Sequence, residues 1–357
     1  MSLKIESNIR DYDVYFEGVW EFLDELARGQ NFTLVIDKNV FKIYEAKFKS
    51  FDSKDIFIFD AIEENKTYKS VCEIYDFLIG KAAKRNLTFV SIGGGITQDV
   101  SGFVASTLYR GLKWIFIPTT FLAITDSCIG SKTSLNYGSY KNLIGTFYPP
   151  QKIYINTDFL DTLTKLDFYS GLGECIKFQL MQEVYPKNFD LISETIRNLA
   201  TKKECRVPVI KENMKIKLGY MLGDEFDLGR RNMLNYGHCF GHALETSSKY
   251  FVPHGIAVTI GVIFANAIAL MRKLINSNLF DYINKNILLP YIPLKLCEAH
   301  MDAKILLQAM KNDKKRIGDF LTVIIPDSEF KMTKVADVTD EEFFTALNMT
   351  KSILIKE

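Results

Sequence analysis

The sequence predicts an α/β N-terminal domain, Rossmann-like in character with a mostly parallel sheet, followed by a mainly α-helical C-terminal domain. Three observations carry that expectation. Short β-branched and aromatic runs recur through roughly the first 160 residues. Helical patterns separate several of them, and alternation of this kind is how a parallel sheet covered on both faces reads in sequence. After about Asp158 the β signal fades, and a chain of 357 residues exceeds the roughly 250–300 at which single cores stop growing. The expected domains are 1–158 and 159–357.

The strands expected in order are T-L-V-I-D (33–37), I-F-I-F-D (56–60), L-T-F-V-S-I (87–92), W-I-F-I-P (114–118) and I-Y-I-N (153–156), with helices over 68–85 and 98–109 between them. Segments 170–184, 207–223, 236–250, 255–274 and 303–312 read as amphipathic or buried helices of the second domain. No internal repeat and no low-complexity linker is present.

Composition narrows the partners. A formal charge of +1 and a pI near 7.5 give no reason to invoke nucleic acid or an anionic membrane, so anion recognition must be local. No 18-residue apolar run is recognised, and the start M-S-L-K-I-E-S-N lacks a leader pattern, so the expectation is a cytoplasmic protein without a membrane partner. Six cysteines without a C-x-x-C pair read as reduced thiols, chiefly small packing residues.

Three of only four histidines fall in one stretch, His238, His242 and His254. Imidazole is the commonest neutral metal ligand and the usual proton carrier near neutrality. His238 and His242 share a helix face at i, i+4, and His254 sits at a helix start before the apolar run from Gly255. Cys239 stands where the zinc-peptidase helix has a glutamate, which argues against a peptidase. An i, i+4 pair buried for structural reasons is the plainer alternative. Upstream, S-I-G-G-G-I-T-Q-D-V follows a strand and opens a helix, the setting in which glycines let backbone approach a pyrophosphate, although a tight turn alone reads the same way. The segment 118–136 and then Lys141 and Asn142 add hydroxyls, a carboxylate, ammonium and amide groups on what read as loops, which suits a phosphorylated ligand.

Taken together, G-G-G-I-T-Q-D-V-x-G-F, R-G (110–111), P-T-T-x-L-A-x-x-D-S-x-I-G-x-K (118–132), K-N-L-I-G-x-F (141–147), G-L-G-E-C-I-K (171–177), R-N-M-L-N-x-G-H-x-x-G-H-A-x-E (231–245) and H-G-x-A-V (254–258) resemble the 3-dehydroquinate synthase family of sugar phosphate cyclases. The resemblance implies a dehydroquinate synthase-like fold and a divalent metal, Zn2+ or Co2+, held by Glu174, His238 and His254. It implies NAD contacts at Asp37, Asn39, Lys69, Gly93, Gly94, Gly95, Asp99, Thr119 and Thr120. Catalytic and substrate contacts are implied for Lys177, His242, Asp126, Lys132, Lys141, Asn142, Lys217, Arg231 and Asn235, with Lys314 or Lys315 a further candidate. Arg110 matches an arginine that reaches a neighbouring subunit's site, which implies a homodimer. The implied substrate is a phosphorylated sugar acid, 3-deoxy-D-arabino-heptulosonate 7-phosphate, converted to 3-dehydroquinate and phosphate.

Three positions depart from the family pattern. Ser131 replaces a glycine and Asn136 an aspartate, and Lys66 replaces a glutamate that contacts the adenosine ribose, which leaves NADP open beside NAD. Two other readings stand: a sister cyclase of the 2-epi-5-epi-valiolone synthase type acting on sedoheptulose 7-phosphate, and a metal-dependent polyol dehydrogenase. Lys217, Arg231 and Asn235 favour a substrate carrying a carboxylate.

Overall fold

The computed structural model describes residues 2–29, 31–81, 84–138, 140–312 and 320–355. The chain divides into two compact units, Met1–Leu163 and Thr164–Glu357.

In the first unit the strands are β1 (Ser2–Ile5), β2 (Tyr12–Tyr15), β3 (Phe32–Asp37), β4 (Ile56–Phe59), β5 (Thr88–Gly93), β6 (Trp114–Pro118), β7 (Lys132–Tyr137), β8 (Tyr140–Phe147) and β9 (Lys152–Tyr154). Seven form one sheet in the order β1-β2-β9-β6-β5-β3-β4. Every pairing in it is parallel except β1 with β2. The central strands are apolar almost throughout, as burial on both faces requires. Leu34, Ile36, Val90, Ile92 and Ile117 pack with Val19 and Leu23 of the helix Val19–Ala27 and with Phe159. Phe159 thus belongs to this core, and the unit runs on through the turn Thr157–Thr162 to Leu163.

One segment differs from the sequence reading. Residues 132–147, expected as polar loop, form the antiparallel hairpin β7–β8. Its polar residues alternate with buried Thr133 and Leu135, a period-2 pattern too short and too mixed to stand out.

The second unit is built around the helix His254–Met271, in which every residue from Gly255 to Ala269 is buried. This corrects the membrane reading: the helix has 18 residues and is apolar enough by composition to cross a bilayer. Its burial inside the unit marks it as a core helix. Around it lie helices Lys165–Leu180, Phe189–Thr201, Arg206–Met221, His238–Ser247, Ala303–Lys311 and Asp340–Leu354. A second hairpin, β10 (Leu321–Pro326) with β11 (Met332–Val338), adds strands to the mainly helical second unit that the sequence predicts. Its L-T-V-I-I-P is a β-branched strand signal in its own right.

Candidate active site

Helix crossings fix the centre of the second unit. A Cβ on Gly173 would lie 2.6 Å from the Gly255 carbonyl carbon, and one on Gly255 would lie 2.7 Å from that of Ser170. Only glycine lets the helices Lys165–Leu180 and His254–Met271 touch backbone to backbone here. The Ser170 hydroxyl accepts the Gly255 N–H at 3.0 Å, satisfying an orphan donor of the first helical turn. Glu174 and His254, each next to one of these glycines, are brought face to face. Gly237, left-handed at φ 77°, is the residue before the helix His238–Ser247 and delivers His238 to the same point.

There Glu174 Oε1 lies 3.3 Å from His238 Nε2 and 3.4 Å from His254 Nε2, and its Oε2 lies 2.5 Å from Lys177 Nζ. The carboxylate is fully buried, yet among the described residues neither oxygen is met in hydrogen-bond geometry. The Lys177 ammonium beside Oε2 offsets part of the cost of burying this charge, and Oε1 faces the two ring nitrogens, the side open to a further cation. The second nitrogens of the two rings are spoken for: His238 Nδ1 lies 3.2 Å from the Tyr236 carbonyl, and His254 Nδ1 lies 3.0 Å from Glu245 Oε2. With an ion bound in place of the His254 proton, donation from Nδ1 would leave both Nε2 lone pairs on the Glu174 side, the arrangement metal-bound histidines adopt. His242 lies close by, its ring 5.4 Å from that of His238 and 5.5 Å from that of His254. Ligand atoms of the three histidines lie within 4.8 Å of one another. These residues fit a divalent cation, with Glu174, His238 and His254 the set whose lone pairs converge.

Electrostatics separate the histidines. Burial disfavours the charged form of His254, but Glu245 and Glu174 hold its proton and raise it to about 10. Burial lowers His238. His242, the most exposed of the three, is still pushed down to about 3, first by desolvation and then by the other two rings. Burial would raise the Glu174 carboxyl, yet Lys177 and His238 hold it well below its ordinary range.

Asn235, His238 and His242 line a cavity with Asn232, Cys239 and Lys334, walled by Met310, Leu321 and Ile324. Lys334 on β11 escapes sequence reasoning because the hairpin does. Arg231 is buried, and its guanidinium donates to the Glu225 carbonyl while its N–H donates to Asp224 at 2.8 Å. Lys217 is buried as well. Lys314 and Lys315 lie outside the described residues. All six cysteines are free.

In the first unit the glycine turn joins β5 to the helix Gly95–Thr107. A Cβ on Gly94 would sit 2.8 Å from Thr120, and Thr119 donates its N–H to the Gly93 carbonyl at 2.9 Å. The turn and the two threonines therefore meet at the carboxyl ends of β5 and β6, where open parallel sheets bind nucleotides. Asp37, at the same edge of β3, caps the following helix by accepting from Asn39 and Val40, and burial raises its carboxyl. Gln98 and Ser127 exchange hydrogen bonds at 2.7 and 2.6 Å, tying the turn that carries Asp126 to the glycine helix. Lys69 is largely exposed, 3.9 Å from Glu73. Lys132 and Lys141 lie on β7 and β8, and Lys141 is 3.5 Å from Glu63. Arg110 is exposed, and the left-handed run Tyr109, Arg110, Gly111 is strained at its two non-glycine positions.

Lys66 differs from expectation. Rather than facing a ribose phosphate it is buried, its ammonium against Asp99 and 2.7 Å from Asn142 Oδ1. Asp99, expected as a cofactor contact, also accepts the Ser134 N–H at 2.9 Å. Asn136 turns inward too, donating to Glu63 at 2.9 Å and accepting from the Asn142 N–H at 3.0 Å.

The plan of a parallel nucleotide-type sheet followed by a helical unit is shared with solved sugar phosphate cyclases and with a glycerol dehydrogenase. With 2-epi-5-epi-valiolone synthase from Streptomyces hygroscopicus, solved with NAD+ and Zn2+, the chain shares a TM-score of 0.84 at 23% identity over 99% of each chain. With 2-deoxy-scyllo-inosose synthase complexed with carbaglucose-6-phosphate, NAD+ and Co2+, the values are 0.80 and 26%, again over 99% of each. The 3-dehydroquinate synthase N-terminal domain family matches residues 56–170 and its C-terminal counterpart matches 171–316. A 3-dehydroquinate synthase of Clostridium tetani is 35% identical over 318 residues, 88% of this chain and 84% of that one. The chain belongs to the 3-dehydroquinate synthase family and is an enzyme of the phosphate-eliminating cyclase class.

Proposed function

We propose that this chain converts 3-deoxy-D-arabino-heptulosonate 7-phosphate to 3-dehydroquinate and phosphate, with no net redox change. The observation that carries the reading is the buried Glu174 carboxylate, beside Lys177 and facing the Nε2 atoms of His238 and His254, in a chain 35% identical to a 3-dehydroquinate synthase. When bound, NAD+ takes up and returns one hydride within a turnover, and Zn2+ or Co2+ acidifies the alcohol to be oxidised.

The chain's own groups do the rest. Glu174, His238 and His254 hold the ion, and Glu245 and the Tyr236 carbonyl fix the ring orientations. Neutral His242 both donates and accepts, as a residue handling protons beside the leaving phosphate must. Lys177, one turn from Glu174, orients a substrate hydroxyl. The turn Gly93–Gly95 with Thr119 and Thr120 receives the dinucleotide, joined by Asp37, Asn39, Lys69 and Asp99. Asp126, Lys132, Lys141, Asn142, Lys217, Arg231 and Asn235 bind the sugar phosphate.

The inward bonding of Lys66 and Asn136 removes two motives for other readings. Lys66 is engaged with Asp99 and Asn142, which favours NAD over NADP. Asn136 is engaged with Glu63 and Asn142, so its departure from the family pattern is matched by a partner inside the protein. The enzyme is proposed to act in the cytoplasm as a homodimer with Arg110 reaching the second subunit. A monomeric mass in sedimentation of the active enzyme would exclude the dimer.

Substrate choice is tested at Arg231. Arg231→Ala should lower kcat/KM with the heptulosonate phosphate about a hundredfold, because a carboxylate loses its guanidinium partner. With sedoheptulose 7-phosphate, which lacks that carboxylate, the loss should stay under about tenfold. Equal losses with both, or faster native turnover of the heptulose, would assign the chain to a sister cyclase.

A further inference from the structure

Lys66 and Asn136, two of the positions that depart from the family pattern, meet in the first unit. The Asn136 N–H donates to the Lys66 carbonyl at 2.8 Å, and Thr67 bridges Asn136 in parallel. The two side chains then converge on one residue of the hairpin, Asn142. Asn136 Oδ1 accepts the Asn142 N–H, and Lys66 Nζ reaches Asn142 Oδ1. The Ser134 hydroxyl lies 2.9 Å from the same oxygen.

An ammonium carries only donors, so it faces the oxygen end of a carboxamide and no other. Asn142, on β8, is held in a left-handed backbone, φ 51°, and is exposed. Its oxygen is occupied from within, and among the described residues its amide nitrogen donates to no acceptor. Lys66 itself is anchored by Asp99, which Ser134 also holds.

We propose that Lys66 is a positioning residue: anchored on Asp99, it locks the Asn142 carboxamide oxygen-inward so that its N–H donors face outward to an oxyanion of the phosphate class. A glutamate at 66 would repel that oxygen and favour the flipped amide, presenting an acceptor to an anion. The inference rests on the proposed function only in taking Asn142 as a ligand-facing residue.

Removing Lys66 alone strands the buried Asp99 carboxylate and endangers folding. The comparison is therefore made in an Asp99→Asn background, whose amide oxygen still accepts from the Lys66 ammonium and leaves no buried charge when Lys66 is replaced. Inorganic phosphate titrated into the full chain, at an NAD concentration saturating for each variant, reads the oxyanion contact without turnover. Adding Lys66→Met should weaken phosphate binding about tenfold. Adding Asn142→Ala should do the same, the two together should do no more, and Lys66→Arg should preserve binding. In the native background Asn142→Asp keeps an acceptor for Lys66 but removes the outward donor, and should weaken phosphate binding without lowering the thermal midpoint. Unchanged phosphate affinity in Lys66→Met or in Asn142→Asp, or additive losses, would overturn the proposal. If phosphate binding behaves as expected but the heptulosonate phosphate is not turned over, the functional reading fails and this one stands.

Discussion

Protonation distinguishes the three clustered histidines, and it sets what ion binding must displace. In the ion-free protein His254 is raised to about 10 from 6.5, so its contribution to stability is complete below about pH 6.5 and lost as pH rises through about 10. His238 and His242 are lowered and carry no proton to release near neutrality. Binding one divalent cation near neutral pH should therefore release about one proton, from His254. Calorimetry in two buffers of different ionisation enthalpy measures it, and a release of none, or of two, would contradict the assignment. In the same titration His238→Ala should abolish binding and His242→Ala preserve it. The cluster itself was legible because histidine is so sparse in this chain. Glu245 and Lys66 were not, because what they do depends on partners that only the fold supplies: Lys66 meets Asn142 across 76 positions.

At the scale of elements, what the sequence showed depended on periodicity. Five strands of the main sheet stood out as apolar runs, and three of them, β3, β5 and β6, are buried along almost their whole length. The strands β1 and β2 and the hairpin β7–β8 did not, being short or mixed in polarity, whereas the apolar run of β10 was legible and went unread. Helix crossings carry no periodic signal at all, and here they do the positioning. Gly255→Ala would drive a methyl into the Ser170 backbone, part the helices bearing Glu174 and His254, and cost about 2–3 kcal/mol. Ion affinity should fall with it. Gly219→Ala, on the helix Arg206–Met221 with open space at its Cβ position, should instead be neutral or stabilise by up to about 1 kcal/mol. Thermal midpoints of the two variants check the contrast, and equal effects would refute the close-packing account.

For the whole molecule, fold alone does not choose the chemistry, since one scaffold hosts several reactions. The order of the units and the sequence motifs within them were readable from the chain, and the family matches span both units. What separates a cyclase from a polyol dehydrogenase is the fate of the hydride: the cyclase returns it before product leaves, whereas the dehydrogenase releases reduced cofactor. The most direct measurement follows inorganic phosphate and NADH absorbance together, with 3-deoxy-D-arabino-heptulosonate 7-phosphate in large excess over NAD+ and a divalent ion present. The account predicts many equivalents of phosphate per NAD+ with no net NADH, and loss of phosphate release in Glu174→Ala. NADH accumulating in step with substrate consumed, without phosphate release, would contradict it.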